Sequence, residues 1–96
     1  MAITEIPLKI YSKICIKLNI RRLLFDDFRM LGEKVGLTRD EVEFLGQQEN
    51  PTDQFFRRWS ATGRATVQRL IDILGDEGFE RNDVITVLKD WVNEKA

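Results

Sequence analysis

Histidine is missing from the 96 residues, and cysteine occurs only once, as Cys15. Without histidine the chain cannot form Ser–His–Asp or Cys–His nucleophilic sites, use a histidine general base, or build most zinc sites. A single cysteine excludes an intramolecular disulfide and fits a reducing compartment, so we expect a cytoplasmic protein. Cys15 lies between Ile14 and Ile16, which is typical of a small buried apolar residue. These absences predict a protein that is not an enzyme and that holds neither a metal ion nor a cofactor.

A long apolar run is also missing. Glu5 and Lys9 interrupt the N-terminal stretch, which therefore predicts neither a signal peptide nor direct membrane insertion. The 15 basic and 16 acidic residues leave a net charge of −1, which argues against a general nucleic-acid binder. The glycines are dispersed and form neither a Walker loop nor a dinucleotide fingerprint. Because there is no repeat and no Pro/Gly-rich linker, we expect residues 1–96 to form one domain.

Helical periodicity is what the sequence does contain. It recurs in six segments, whereas strand alternation never persists, so we expect an all-α fold. The predicted helix starts are Pro7, the region of Asp26, the capping box Thr38–Glu41, Asn50–Pro51, Thr66, and Asn82 or Glu80; the predicted ends include Gly36, Gly46 and Gly75. We expect the first helix to be mostly buried, through Leu8, Ile10, Tyr11, Ile14, Cys15, Ile16 and Leu18.

The fourth and fifth helices are predicted to form the central pair of the fold. Phe55, Phe56 and Trp59 fall on one side of the fourth helix, and a short polar turn leads to an equally clear apolar stripe on the fifth. Two apolar stripes joined this closely should pack antiparallel against a shared core. We expect Trp59 to be buried against the fifth helix and against the first or the sixth.

Clustered charges are the remaining candidates for function. The carboxylate pairs Asp26–Asp27, Glu41–Glu43 and Asp76–Glu77 lie where helix starts or loops already explain them, so they do not indicate catalysis. The aromatic residues have helical spacing and indicate a core rather than a base-stacking platform. Arginines cluster at Arg21–Arg22, Arg57–Arg58 and Arg64–Arg69. Each cluster could be a solvated face, but segregated patches of both signs without catalytic groups favour docking onto a similar protein.

Two stretches carry a family resemblance. The run DDFRMLGEKVGLTRDEVEFL resembles helices 2 and 3 of death domains, and NPTDQFFRRWSATGRATVQRLIDIL resembles their helices 4 and 5, including Trp59. The resemblance implies a six-helix antiparallel Greek-key bundle. The chain departs from the family pattern at Phe28, where tryptophan is common, and at Gly32, where alanine is usual. Glycine inside a helix costs about 0.5–1 kcal/mol unless close packing requires it.

Within the family, the runs IPLKIYSKICIKLNIRR, NPTDQFFRRW and ATVQRLIDIL are most similar to adaptors of the myeloid differentiation type, which serve Toll-like and interleukin-1 receptors. The ectodysplasin-receptor adaptor is more distant. This resemblance implies homotypic and heterotypic binding to other death domains, including kinases of the interleukin-1-receptor-associated type, within a helical oligomer.

The resemblance also implies three kinds of contact between neighbouring domains. The first kind places Asp26 and Asp27 against Arg57 and Arg58 of a neighbour. The second kind places Ser60 to Arg64 against Asp76 and Glu77. The third kind places Arg39, Asp40 and Glu43 against Arg21, Arg22, Gln47 and Gln48. Oppositely charged groups are expected to face each other in the first two kinds.

Two alternatives remain open from sequence. One is a death domain from a receptor tail, such as a netrin-type receptor, or from an apoptotic or developmental adaptor. The other is a helix-turn-helix DNA binder, since short capped helices also occur there. Its recognition helix would have to be the third, where Arg39 is outnumbered by Asp40, Glu41 and Glu43, and phosphate would repel these acids.

Overall fold

The computed structural model describes residues 1–95 of the chain. A short 3-10 helix, Ile3–Glu5, precedes six α-helices: α1 Leu8–Asn19, α2 Phe28–Lys34, α3 Arg39–Gly46, α4 Pro51–Ser60, α5 Val67–Leu74 and α6 Asn82–Lys95. Within this described range no strand forms, and the only β-type pairing is an isolated bridge between Ala2 and Thr66. The predicted all-α fold of six helices is confirmed. The 3-10 helix was not predicted.

Side-chain caps set most helix starts where the sequence predicted them. Thr38 accepts a hydrogen bond from the Glu41 backbone N–H, and the Glu41 carboxylate accepts one from the Thr38 N–H, which completes a capping box at α3. Asn50 caps α4 ahead of Pro51, and Thr66 caps α5. The last helix, α6, begins at Asn82, one of its two predicted starts, and Arg81 immediately precedes it.

The aromatic residues of α4 lie at the centre of the core. The ring centroids of Phe55 and Phe56 are 5.4 Å apart, and those of Phe55 and Trp59 are 5.7 Å apart. The ring contact from α4 to α1 comes from Phe56, whose ring centroid lies 5.5 Å from that of Tyr11. Trp59 is buried as predicted and borders cavities with Val35 and Leu37 and with Thr66 at the start of α5. Its packing against α5 and against α1 or α6 stays a prediction.

A polar contact fixes how α1 meets α4. Asn19, the last residue of α1, accepts hydrogen bonds from the backbone N–H and the hydroxyl of the buried Thr52, at 2.9 and 2.6 Å. Its side-chain amide donates to the Oδ1 of Asn50 at 2.8 Å. The C-terminal end of one helix therefore positions the first turn of another, and both belong to the same core.

α1 is less buried than expected. Ile14, Cys15 and Leu18 are buried, but the side chains of Leu8 and Ile16 are 83% and 63% exposed. The apolar residues of α1 cover more of the helix than one buried face can accommodate, so part of them faces outward. In the described range no helix is long and apolar enough to cross a bilayer.

Candidate functional site

The outer face of α4 carries two of the predicted contact residues, and both already have partners within the chain. The Arg57 guanidinium lies 2.9 Å from the Asp53 carboxylate one turn earlier, and Arg58 lies 3.0 Å from Glu41 on α3. The Tyr11 hydroxyl donates to Asp53 at 2.6 Å and, with the Arg57 hydrogen bond, holds the pKa of Asp53 below its usual value. Both arginines are exposed, so they remain available to a neighbour.

The start of α2 requires a correction. Asp27 was predicted to contact a partner, but its side chain is 0% exposed. It caps α2 through the Arg29 backbone N–H, accepts the Arg22 backbone N–H at 2.9 Å, and pairs with the Arg29 guanidinium at 2.6 Å. Burial raises its pKa, but the hydrogen bonds from Arg29 and Arg22 outweigh that effect, so the pKa of Asp27 lies below its usual value. Asp27 shapes the loop before α2 and cannot present charge to a neighbour.

Asp26 is partly exposed and lies 3.1 Å from Arg22. Its carboxylate is therefore paired within the chain, and of the two predicted acids it is the one that reaches the surface. Arg21, the neighbouring predicted residue, donates to the Gly46 carbonyl at 3.0 Å and stacks over the Phe28 ring at 5.4 Å. Arg21 and Arg22 thus lie beside the end of α3 and the start of α2 in the same molecule.

Three basic side chains, from α2, from the turn between α4 and α5, and from α5, meet at one cavity. Lys34, Arg64 and Arg69 border this open cavity of about 390 Å³, which Trp59 and Val35 also line; these three cations are called the basic pocket below. Of the three side chains, Lys34 has an acidic partner in the described part of the chain, the Asp76 carboxylate at 3.7 Å. Ser60 is half-buried at the end of α4, and Arg64 is exposed.

The loop between α5 and α6 is acidic and exposed. Asp76 lies at its start beside Lys34, and Glu77 follows with its side chain in solvent. Gly78 continues the loop at φ +86°, a conformation that glycine adopts without strain. The predicted residues of α3 are also in solvent: Arg39, Asp40 and Glu43 are all exposed. The structure places these predicted residues at the surface, and their contact with a partner stays a prediction.

Arg81 is a residue that the sequence reasoning missed. Its side chain is 3% exposed and donates to the Asp26 carbonyl at 2.6 Å, to the Lys17 carbonyl at 3.3 Å and to the Asp83 carboxylate at 2.9 Å. The Arg81 hydrogen bond is the main cause that lowers the pKa of Asp83 to about 2. Nothing in the local sequence distinguishes Arg81 from a surface arginine, since the two carbonyls that it binds, those of Asp26 and Lys17, lie more than 50 residues away.

The chain offers little reactive chemistry in its described part. Burial raises the pKa of the Cys15 thiol to about 12, so the reactive thiolate is rare at neutral pH. Among residues 1–95 no three acidic or thiol side chains come together as a metal-binding group. What the surface offers is exposed charge of both signs.

An all-α bundle with exposed charge of both signs fits a protein-interaction module. The comparison with protein families agrees, because the death domain model matches residues 11–92. The chain belongs to the death domain family, whose members are modules for protein–protein interaction in signalling and bind other death-domain proteins. Comparisons with curated proteins and with solved structures gave no significant match.

Proposed function

We propose that this death domain forms a cytoplasmic signalling scaffold in which the basic pocket of one copy receives the acidic loop, Asp76 and Glu77, of another death domain. The contact corresponds to the second kind implied by the family resemblance. Arg64 belongs to this pocket, and Ser60 precedes it at the end of α4. Because the donor and acceptor patches differ, each copy can bind two neighbours, and repetition gives an open helical oligomer.

The observation that carries this proposal is the basic pocket itself. Lys34, Arg64 and Arg69 border the same cavity, and like charges held near each other repel unless an anion lies between them. Among the described residues, Lys34 has the exposed Asp76 as its counter-ion, at the long distance of 3.7 Å. A neighbour's carboxylates would relieve this repulsion, which gives the pocket a specific preference for an acidic partner.

The other two kinds of contact are proposed with one change. For the first, Arg57 and Arg58 on α4 face Asp26 of a neighbour, while Asp27 is withdrawn because it is buried. Since both arginines are already paired within the chain, this contact adds less than the basic pocket does. For the third, exposed Arg39, Asp40 and Glu43 on α3 meet Arg21, Arg22, Gln47 and Gln48.

A paired charge reversal tests the basic pocket. Arg64→Glu and Glu77→Arg should each weaken assembly strongly, because each places like charges together at the contact. Glu77 is preferred over Asp76 for the acidic arm, because Asp76 also pairs with Lys34. Mixing the two variants should restore part of the assembly, measured by light scattering at moderate salt. Lys89→Glu, an exposed reversal on α6, is the matched control. Wild-type assembly by both single variants would exclude this contact.

We further propose an adaptor role in Toll-like or interleukin-1 receptor signalling, with recruitment of death-domain kinases. Its support is the similarity of residues 6–22, 50–59 and 65–74 to adaptors of the myeloid differentiation type. Binding assays should compare the death domains of an interleukin-1-receptor-associated kinase, a netrin-type receptor and the ectodysplasin-receptor adaptor. Preferential binding to the kinase supports the adaptor role. Preferential binding to the netrin-type receptor or to the ectodysplasin-receptor adaptor would instead support a role in developmental or apoptotic signalling.

A further inference from the structure

Residues 6–25 carry positive charge only. This stretch contains five basic side chains and no acidic one, whereas the rest of the chain carries ten basic and sixteen acidic side chains. The five are Lys9, Lys13, Lys17, Arg21 and Arg22. Lys9 and Lys13 are exposed, one turn apart on α1, and Lys17 extends the same row. Lys17 is half-buried and lies 4.0 Å from Asp83, and Arg22 pairs with Asp26. Within the described part of the chain, the positive charge of this stretch that has no acidic partner is therefore carried by Lys9, Lys13 and Arg21.

The same stretch exposes most of the large apolar side chains found at the surface. Six of the eight strongly exposed ones in the described part of the chain are Leu8, Ile16, Ile20, Leu23, Leu24 and Phe25. On α1, Leu8 and Ile16 lie on the outer face about 12 Å apart along the axis, next to the row of lysines. The name α1 surface is used below for Leu8, Lys9, Lys13, Ile16 and Ile20.

The loop that follows α1 holds its apolar tip in a fixed position. Leu23 is 93% exposed, and Phe25 adopts φ +64°, which is unfavourable for an aromatic residue. The conformation is held by the Arg29 guanidinium, 4.4 Å from the Phe25 ring centroid. Buried Asp27 and Arg81 bind the backbone of Arg22 and Asp26 on either side of the tip. The loop tip, Leu23 to Phe25, is therefore displayed by a rigid support.

We propose that the α1 surface and the loop tip bind the surface of an anionic lipid bilayer. Aliphatic side chains beside lysines suit such a surface, because the apolar groups enter the boundary between headgroups and acyl chains while the ammonium groups contact the lipid phosphates. Each basic residue near an anionic leaflet adds to the electrostatic attraction. The interaction is peripheral, since no helix in residues 1–95 could cross the bilayer.

The composition of this surface favours lipid over a second copy of the chain. Protein interfaces are depleted in lysine at their centre, and their strongest contacts come from tryptophan, tyrosine and arginine. The α1 surface contains none of these three, and it combines lysine with leucine and isoleucine. The proposal does not depend on the basic pocket, which is formed by α2, α5 and the turn before α5.

Sedimentation with vesicles tests the proposal. The domain should bind vesicles of phosphatidylcholine containing about one third phosphatidylserine, and this binding should weaken with salt and be absent on phosphatidylcholine alone. Lys9→Glu combined with Lys13→Glu should weaken binding about tenfold or more. Ile16→Ser combined with Leu23→Ser should also weaken it several-fold, because apolar area in the interface is lost.

Matched variants on other faces are the controls. Lys89→Glu on α6 and Phe44→Ser on α3 change exposed residues of the same chemical types and should leave vesicle binding unchanged. Failure of the wild type to bind anionic vesicles, or equal binding by the α1 variants and the controls, would overturn the proposal. Assembly in lipid-free buffer is measured on the same proteins. If the α1 variants lose assembly but still bind vesicles like the wild type, the α1 surface binds a protein partner and the proposal is wrong.

Discussion

α4 and the loop between α1 and α2 are both held firmly, but by opposite means. α4 buries Phe55, Phe56 and Trp59, with the Phe55 ring in contact with the other two, and apolar burial fixes the position of the helix. The loop exposes its apolar residues and is fixed by two buried charged side chains, Asp27 and Arg81, that bind backbone groups. Apolar burial therefore fixes α4, and hydrogen bonds from buried charged groups fix the loop. The hydrophobic pattern of the sequence predicts the burial of α4, whereas the hydrogen bonds that hold the loop are seen only in the tertiary structure.

Removal of Trp59 should produce the largest effect of the variants considered. Trp59→Ala empties a largely buried site stacked on Phe55, so we expect a loss of about 3–5 kcal/mol in the free energy of unfolding. Chemical denaturation monitored by circular dichroism measures it. Gln54→Ala, at an exposed position of the same helix, is the control and should have little effect. A midpoint unchanged by Trp59→Ala would contradict the central place of α4.

The sequence allowed prediction of the helices and their caps because the signals lie within a few residues. Asn50 with Pro51, and Thr38 with Glu41, are both recognisable locally, and both caps formed. The burial of Asp27 could not be predicted, since Asp26 and Asp27 are adjacent and chemically identical, and the fold alone decides which carboxylate turns inward. The exposure of Leu8 was missed because periodicity identifies an apolar stripe without saying how much of it is covered.

Loss of Arg81 tests the polar support of the loop. Arg81→Met keeps much of the side-chain volume but leaves the carbonyls of Lys17 and Asp26 without their donor, so we expect a loss of about 2–3 kcal/mol. Hydrogen exchange should rise in residues 20–27 more than in α4, which is anchored by apolar contacts. Lys89→Met, at an exposed position of α6, provides the matched control. Equal stability of Arg81→Met and wild type would show that the support is not needed.

Asp27 gives a smaller and pH-dependent effect. Asp27→Asn retains a capping side chain but loses the charged pair with Arg29, so we expect a loss of about 1–2 kcal/mol at neutral pH. The pKa of Asp27 is lower in the folded chain than in the unfolded chain, where it is about 4. Its carboxylate therefore stabilises the fold at pH values above about 4, and this contribution is lost as the pH falls through the folded pKa. The difference between wild type and Asp27→Asn should therefore shrink below about pH 4. A difference that stays constant with pH would exclude an ionised Asp27 as its source.

Gly32 should give the smallest effect, because two contributions oppose each other. Alanine stabilises a helix interior by about 0.8–1.0 kcal/mol relative to glycine. A Cβ at this position would lie 3.1 Å from the Val42 Cγ2 and 3.3 Å from the Leu37 Cδ1, so both side chains must shift slightly. They are only half-buried and can move, and we expect Gly32→Ala to remain within about 0.5 kcal/mol of wild type. Gly32→Val adds bulk that the same space cannot take and should cost about 1–3 kcal/mol. Thermal melts of both variants separate the two contributions. A clear gain in stability for Gly32→Ala would mean that the side chains between α2 and α3 move without cost. A loss above about 1 kcal/mol would mean that glycine is required for the close approach of α2 to Val42.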